Sequence, residues 1–291
     1  MNNPVDFDAL WNFNDPAETE KRFRELLPGE GQPLFETDWH WELLLQIART
    51  QGLQRQFDEA HATLDLVDAK RETASPRVAV RHLLERGRVF NSSKQRDKAG
   101  PLIQSAWELA QNVGEEALAV DAAHMLAIVA PAEESLEWNQ KALVLAEASD
   151  DPRARKWAGS LNNNIGWTHH GNGDFQTALE HFQKAVVCRQ EQNEPGEIQV
   201  ARWCVARCLR SLGQIHEALA IQQELQIEHE AAGTGDGYVF EELAECQLAL
   251  EMPEAAQINF SIAYHELSKD DWLVENEAER IARLKSLGGV E

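Results

Sequence analysis

The chain has 291 residues, 43% hydrophobic and 26% charged, the composition of a folded protein rather than a disordered or fibrous one. Its 49 acidic and 27 basic residues leave a net charge of −22, which disfavours nucleic acid or an anionic membrane as partner but does not exclude a local basic site. No apolar run approaches the ~20 residues that cross a bilayer, and Met1-Asn2-Asn3-Pro4-Val5-Asp6 is not a basic segment followed by an apolar one, so neither a membrane span nor a secretory signal is expected and the predicted location is cytoplasmic.

Asp15-Pro16 is a helix start, with proline in the first turn where its missing amide costs nothing. With Thr19, Phe23 and Leu26 following, residues 5–27 read as a degenerate helical pair. Six helix pairs are predicted over residues 38–268, with loops at Pro28–Thr37, Lys70–Pro76, Asp150–Pro152, Glu194–Gly196 and Gly233–Gly237. Ile47, Ala48, Phe57, Ala60 and Leu64 mark the first pair; Gly87, Ala99, Ile103 and Ala106 the second; Ala123, Ser135 and Ala142 the third. Gly100-Pro101 lies where a second helix should be under way, which predicts a late start or a kink.

The fourth pair, Ala158 to Arg189, is the clearest. Leu161, Ile165 and Gly166 lie on its first helix, Gly171-Asn172-Gly173 makes the turn and Asp174 the N-cap, and Phe175, Ala178, Phe182 and Ala185 follow at helical spacing. Ala206, Gly213, Ala218 and Leu225 mark the fifth pair, and Leu243, Ala244, Ala256, Phe260 and Ala263 the sixth. Asn139 and Gln222 stand where the fourth pair has Phe182, which predicts looser packing in the third and fifth. A capping helix over 271–287 carries Leu273, Ala278, Ile281 and Leu284 on one face.

Small residues twelve apart run through all six pairs: Ala48/Ala60, Gly87/Ala99, Ala123/Ser135, Gly166/Ala178, Ala206/Ala218 and Ala244/Ala256. The second member recurs every 36 to 43 residues. A repeat of that length holding two helices is the mark of an α-solenoid, and helices approach closely only where small side chains meet. The fourth pair resembles the tetratricopeptide repeat: Gly166 matches its small first-helix residue, Gly173 its turn glycine, and Phe175, Ala178, Phe182 and Ala185 the alternating aromatic–alanine series of its second helix. The spacing exceeds the usual repeat of about 34 residues and is similar to the long kinesin-light-chain type. The resemblance implies an all-α, right-handed superhelical solenoid over residues 1–291, whose first helices line a concave groove that holds partner peptides.

On that implication, groove positions lie three before, one after and four after the small residue of each first helix. They give Arg49, Arg88, Asn91, His124, Asn163, Trp167, His170, Trp203, Arg207 and Arg210, with Arg81 one turn earlier, and Glu241, Glu245 and Leu248 in the last pair. Arginine is a planar fork suited to carboxylate or phosphate, asparagine holds a peptide backbone, and tryptophan supplies apolar area. The expected partner is a protein or peptide segment bearing an anionic group such as a C-terminal carboxylate. The competing reading is that these arginines pair with Glu42, Glu85, Asp121 and other nearby acids.

His169, His170 and His181 with Cys204 and Cys208 are the sole cluster with the look of a chemical site, but they fall on different helices at no metal-binding spacing. Neither phosphate-binding loop nor nucleophile elbow is present, so catalytic residues, cofactor and metal are all expected to be none. Cys188, Cys204, Cys208 and Cys246 read as buried reduced thiols. Trp107, Trp138 and Trp157 read as packing between repeats, and Trp39 and Trp41 as partly exposed. The function read from the sequence is a non-catalytic binding scaffold. The alternatives are a peptide-sensing receptor that changes superhelical shape on binding, and a metal-dependent enzyme built on the His/Cys cluster.

Overall fold

The computed structural model describes residues 7–28, 37–69 and 74–291. Val5 and most of the first two expected loops lie outside them. All regular structure among the described residues is helical, and the chain divides into two compact units, residues 1–158 and 159–291.

In the first unit a 3-10 turn, Asp8–Leu10, precedes α1 (Pro16–Glu25), followed by the pairs α2 (Asp38–Leu53) with α3 (Phe57–Asp68), α4 (Pro76–Ser92) with α5 (Arg96–Val113), and α6 (Glu116–Val129) with α7 (Ala132–Ala148). The short α8 (Pro152–Arg155) packs on α6 and α7. The second unit holds α9 (Ala158–Gly171) with α10 (Phe175–Gln192), α11 (Pro195–Ser211) with α12 (Ile215–Ala231), α13 (Gly237–Ala249) with α14 (Pro253–Leu267), then α15 (Asp271–Asn276) and α16 (Ala278–Leu287). Helix starts follow local chemistry. The side chains of Asp15, Ser75, Asp151, Asp174, Asp236 and Asp270 each accept a first-turn amide. Five of the six intra-pair turns pass through a left-handed residue: Arg55 and Lys94 in the first unit, Gly173, Gly213 and Glu251 in the second.

The twelve-residue ladder is the spine of the packing. Ala48, Ala60, Ala99, Ala123, Ala178, Ala206, Ala218, Ala244 and Ala256 are at most 1% exposed. Gly87 and Gly166 are buried as well, and only Ser135 is half-buried. A Cβ on Gly166 would lie 2.6 Å from the Phe182 ring and one on Gly87 2.5 Å from Ile103 Cγ1, so glycine lets the second helix bring its large side chain beneath the first. First helices of neighbouring pairs also approach one another, α2 with α4, α4 with α6, and α11 with α13.

Several expectations need correction. The N-terminal element is a 3-10 turn and one helix rather than two helices. α5 starts on schedule at Arg96 and continues through Pro101; the proline and Asp97, whose carbonyl it leaves without an amide, are both exposed, so water takes that bond. The capping helix breaks at Glu277 (φ −125°, ψ 39°) into α15 and α16, and α16 buries Ile281 and Leu284 against Phe260 and Ala263. Trp41 is buried at 4% exposure rather than partly exposed, while Cys188 is half-buried rather than buried. Gln222 is fully buried with neither amide atom hydrogen-bonded.

Candidate functional site

The ladder fixes helical phase, and phase fixes which side chains share the first-helix face. A second regularity emerges once the pairs are stacked: the residue one after the small position reaches the residue two before the small position of the next pair. In the first unit Arg49 faces Glu85 at 3.9 Å, and Arg88 faces Asp121 while also donating to Glu85 at 2.7 Å. Arg81 lies 2.6 Å from Glu42. Arg77, which sequence phase did not single out, bridges Glu115 at 2.5 Å and Glu42 at 3.5 Å. The three expected groove arginines here are therefore matched by Glu42, Glu85 and Asp121.

These groups are not a solvated fringe. The Glu85 side chain is 1% exposed, Asp121 7% and Arg88 14%. Burial works against charge on Arg88, but Asp121 and Glu85 outweigh it and raise its pKa. Burial likewise disfavours charge on Asp121, and Arg88 with Arg49 reverse the sign and lower it. On Arg49 burial wins, aided by repulsion from Arg88, and the pKa falls; on Glu42 burial wins over Arg81 and Arg77, and the pKa rises.

The N-terminal segment continues the same series outward. The Trp11 indole N–H donates to Gln46 Oε1 at 2.8 Å, two residues before Ala48. Trp11 and Phe13 stack with centroids 4.7 Å apart, and the Arg49 guanidinium lies 5.4 Å from each ring. Asn91 is half-buried. His124, also half-buried, packs on Trp157 at 5.1 Å, and burial lowers its pKa.

The second unit fills the same phase differently. Trp167 occupies the position after Gly166 and packs against the buried cluster that contains Cys204, two before Ala206. Its ring lies 5.1 Å from Phe182, 5.1 Å from His170 and 6.0 Å from Trp203. Trp203 in turn lies 6.0 Å from Tyr238, and its indole N–H donates to the Tyr238 carbonyl at 3.1 Å. Trp167, Trp203 and Tyr238 thus form a half-exposed aromatic row across α9, α11 and α13. Beside it, two arginines share one carboxylate. Arg210 holds Glu242 bidentately at 2.7 and 2.9 Å, while Arg207 reaches Glu242 at 3.1 Å and donates to Ser211 Oγ at 2.7 Å. His170 Nε2 lies 3.0 Å from the same hydroxyl; burial, then Arg207 and Arg210, lower its pKa. Asn163 is half-buried and its Oδ1 has no hydrogen-bond partner.

Tyr238, Ser211 and Glu242 were missed by phase reasoning. Tyr238 stands six residues before Ala244, the place Arg81 holds before Gly87, so extending the rule by one turn in every pair finds it. In the last pair Glu241 and Glu245 are taken up by Arg280 and Arg283 of α16.

The His/Cys cluster does not converge. His169 stacks on His181 with centroids 5.9 Å apart and lies 3.2 Å from Asp174. Burial pushes the Cys204 thiol up to about 12 and that of Cys208 to about 11. Among the described residues no group of three or more His, Cys, Asp or Glu side chains is placed to hold a metal ion, and no helix is long and apolar enough to cross a membrane.

No family model matches the chain, and no curated protein sequence matches it. Solved structures do. The apo form of RapI superposes with a TM-score of 0.67 at 14% identity, covering 94% of this chain and 75% of RapI. NprR in complex with its cognate peptide NprX gives 0.57 at 13% identity, with 96% and 81% covered. Tetratricopeptide-like repeats of a Podosopora anserina kinesin light chain give 0.51 at 17% identity, with 66% and 96% covered. Buried ladder, left-handed turns and these superpositions agree: the fold is a tetratricopeptide-repeat α-solenoid of the long, kinesin-light-chain-like type.

Proposed function

We propose that the chain is a non-catalytic binding scaffold, and that the first-helix face of residues 159–291 holds a peptide segment of a partner protein. The observation that carries this reading is the aromatic row Trp167–Trp203–Tyr238 lying beside two guanidinium groups that share the single carboxylate of Glu242. The row offers rigid apolar area at small entropic cost. The two arginines hydrogen-bond one acid, Glu242, with Glu245 adding to the field at Arg210, and a ligand carboxylate such as a chain terminus suits the guanidinium forks. That NprR, a structure of similar fold, is seen with its cognate peptide supports the same use of this fold.

The groove arginines of the first unit are matched by Glu42, Glu85 and Asp121, and the proposal leaves Arg49, Arg81 and Arg88 as links between repeats. The test is selection of free-carboxylate peptides from a random display library against the whole protein, followed by fluorescence anisotropy of an enriched peptide. Trp203→Ala is expected to weaken it by about tenfold or more with the helical signal retained, and amidating the peptide terminus to weaken it severalfold. Equal binding by Trp203→Ala refutes the assignment.

A further inference from the structure

Two cavities of the first unit lie along the second helices α5 and α7. One of about 430 Å³ separates α5 from α7, lined by Trp107, Gln111, Val144 and Leu145 among others. It shares Gln111 and Leu145 with a second, of about 310 Å³, that runs to the C-terminal ends of the same helices at Gly114 and Ser149. The floor is apolar and open: Val144 is 65% exposed. Trp107 is held edge-on to Trp138 at 5.1 Å, with its indole N–H buried and unpartnered.

The surroundings are acidic. α7 carries Glu133, Glu134, Glu137 and Glu147 against one base, Lys141. Lys141 is already committed, to Glu137 at 2.8 Å and to the Trp138 face at 4.4 Å. From Pro101 onward α5 carries Glu108 and no base. At the end of the second cavity Ser149 leaves α7 in extended conformation (φ −78°, ψ 142°), with no amide returning to cap the last turn. The negative end of the helix dipole therefore opens there, beside Glu116, which the Ser149 hydroxyl bonds. An apolar strip rimmed by acids and ending at free carbonyls is complementary to a helix with one apolar face and a lysine- or arginine-rich flank.

We propose that the α5–α7 groove docks a basic amphipathic helix of a partner protein. The two helices flanking the strip set its shape, and the acidic rim sets the occupant's charge and on-rate. This surface is independent of the aromatic row, and its test leaves the row untouched.

The probe is a fluorescein-labelled peptide about 18 residues long, long enough to be helical when docked, with leucine along one helical face and lysine elsewhere. It should bind the whole protein at physiological ionic strength. The double variant Val144→Lys with Glu137→Lys, both sites exposed, should weaken it by about tenfold or more with an unchanged helical spectrum. The matched control Val187→Lys with Glu254→Lys changes charge equally at exposed sites of the second unit and should stay within about twofold of wild type, as should Trp203→Ala. Equal binding by the α7 variant, an equal loss in the control (which marks attraction to bulk acidity alone), or equal binding of a peptide with glutamate for lysine would each overturn the proposal.

Discussion

The two units place the same helical phase on their first-helix faces and use it for different ends. In residues 7–158 the position after the small residue holds Arg49 and Arg88, and the next pair answers with Glu85 and Asp121, so each charge is spent on joining one repeat to the next. In residues 159–291 the first such position holds Trp167, packed on the cluster that contains Cys204, and the row continues through Trp203 and Tyr238. Only then do Arg207 and Arg210 appear, two cations on one acid. An arginine on an inner face is thus a link or a ligand-holding group according to how many carboxylates the next repeat supplies.

The largest effect that sharpens this contrast is on stability. Asp121→Ala strands Arg88, 14% exposed, beside a carboxylate that Arg49 also uses, and should cost about 3–5 kcal/mol in chemical denaturation. Trp203→Ala should cost markedly less while removing peptide binding; the reverse order would erase the distinction. Next is Gly166→Ala. Its methyl meets the Phe182 ring, which has no free end to swing away, so overpacking should outweigh the gain in helix propensity and leave a loss of about 1–2 kcal/mol.

Acid should act on both units through histidines whose charge is disfavoured by burial. Burial lowers the pKa of His40, His61, His124, His170 and His181, so the folded state prefers them neutral. Their contribution is complete above the unfolded value of about 6.5 and declines as pH falls below it, because the unfolded chain takes up protons first. Glu42, raised by burial, opposes this weakly at lower pH, whereas Asp121, lowered, withdraws its support only as pH falls below about 3.8. Thermal melts should therefore drop between pH 7 and 5.5; a flat profile would mean these rings are open to protons. The smallest effect lies in the turns. Lys94 is left-handed (φ 63°) where the fourth and fifth pairs have Gly173 and Gly213, so Lys94→Gly should stabilise by about 0.5 kcal/mol, and Gly213→Lys should destabilise by a similar amount.

The fold was legible because its determinants are local. A pair of small residues twelve positions apart in each repeat is a steric demand of two crossing helices, and it appears in the sequence whatever the rest of the chain does. Phase also gave the face on which Arg49, Arg88, Trp167 and Trp203 lie, and the competing reading named Glu42, Glu85 and Asp121 as partners. What phase alone did not give was stoichiometry. That Glu242 serves two arginines depends on the stacking of α11 on α13, some 32 to 35 residues apart in the chain. Tyr238 escaped because the rule was extended one turn back for Arg81 alone. The break at Glu277 has no glycine or proline to announce it; it follows from α16 turning to bury Ile281 and Leu284 on α14. Pro101 misled in the other direction, since exposure removes most of the penalty a buried helix would suffer.

Hydrogen–deuterium exchange of the whole protein, with and without a library-selected free-carboxylate peptide, tests the central assignment most directly. The account predicts added protection in α9, α11 and the start of α13, around Trp167, Trp203 and Tyr238, with the α2 and α4 amides near Arg49 and Arg88 unchanged. Protection centred on α2 and α4, with α11 unaffected, would contradict it.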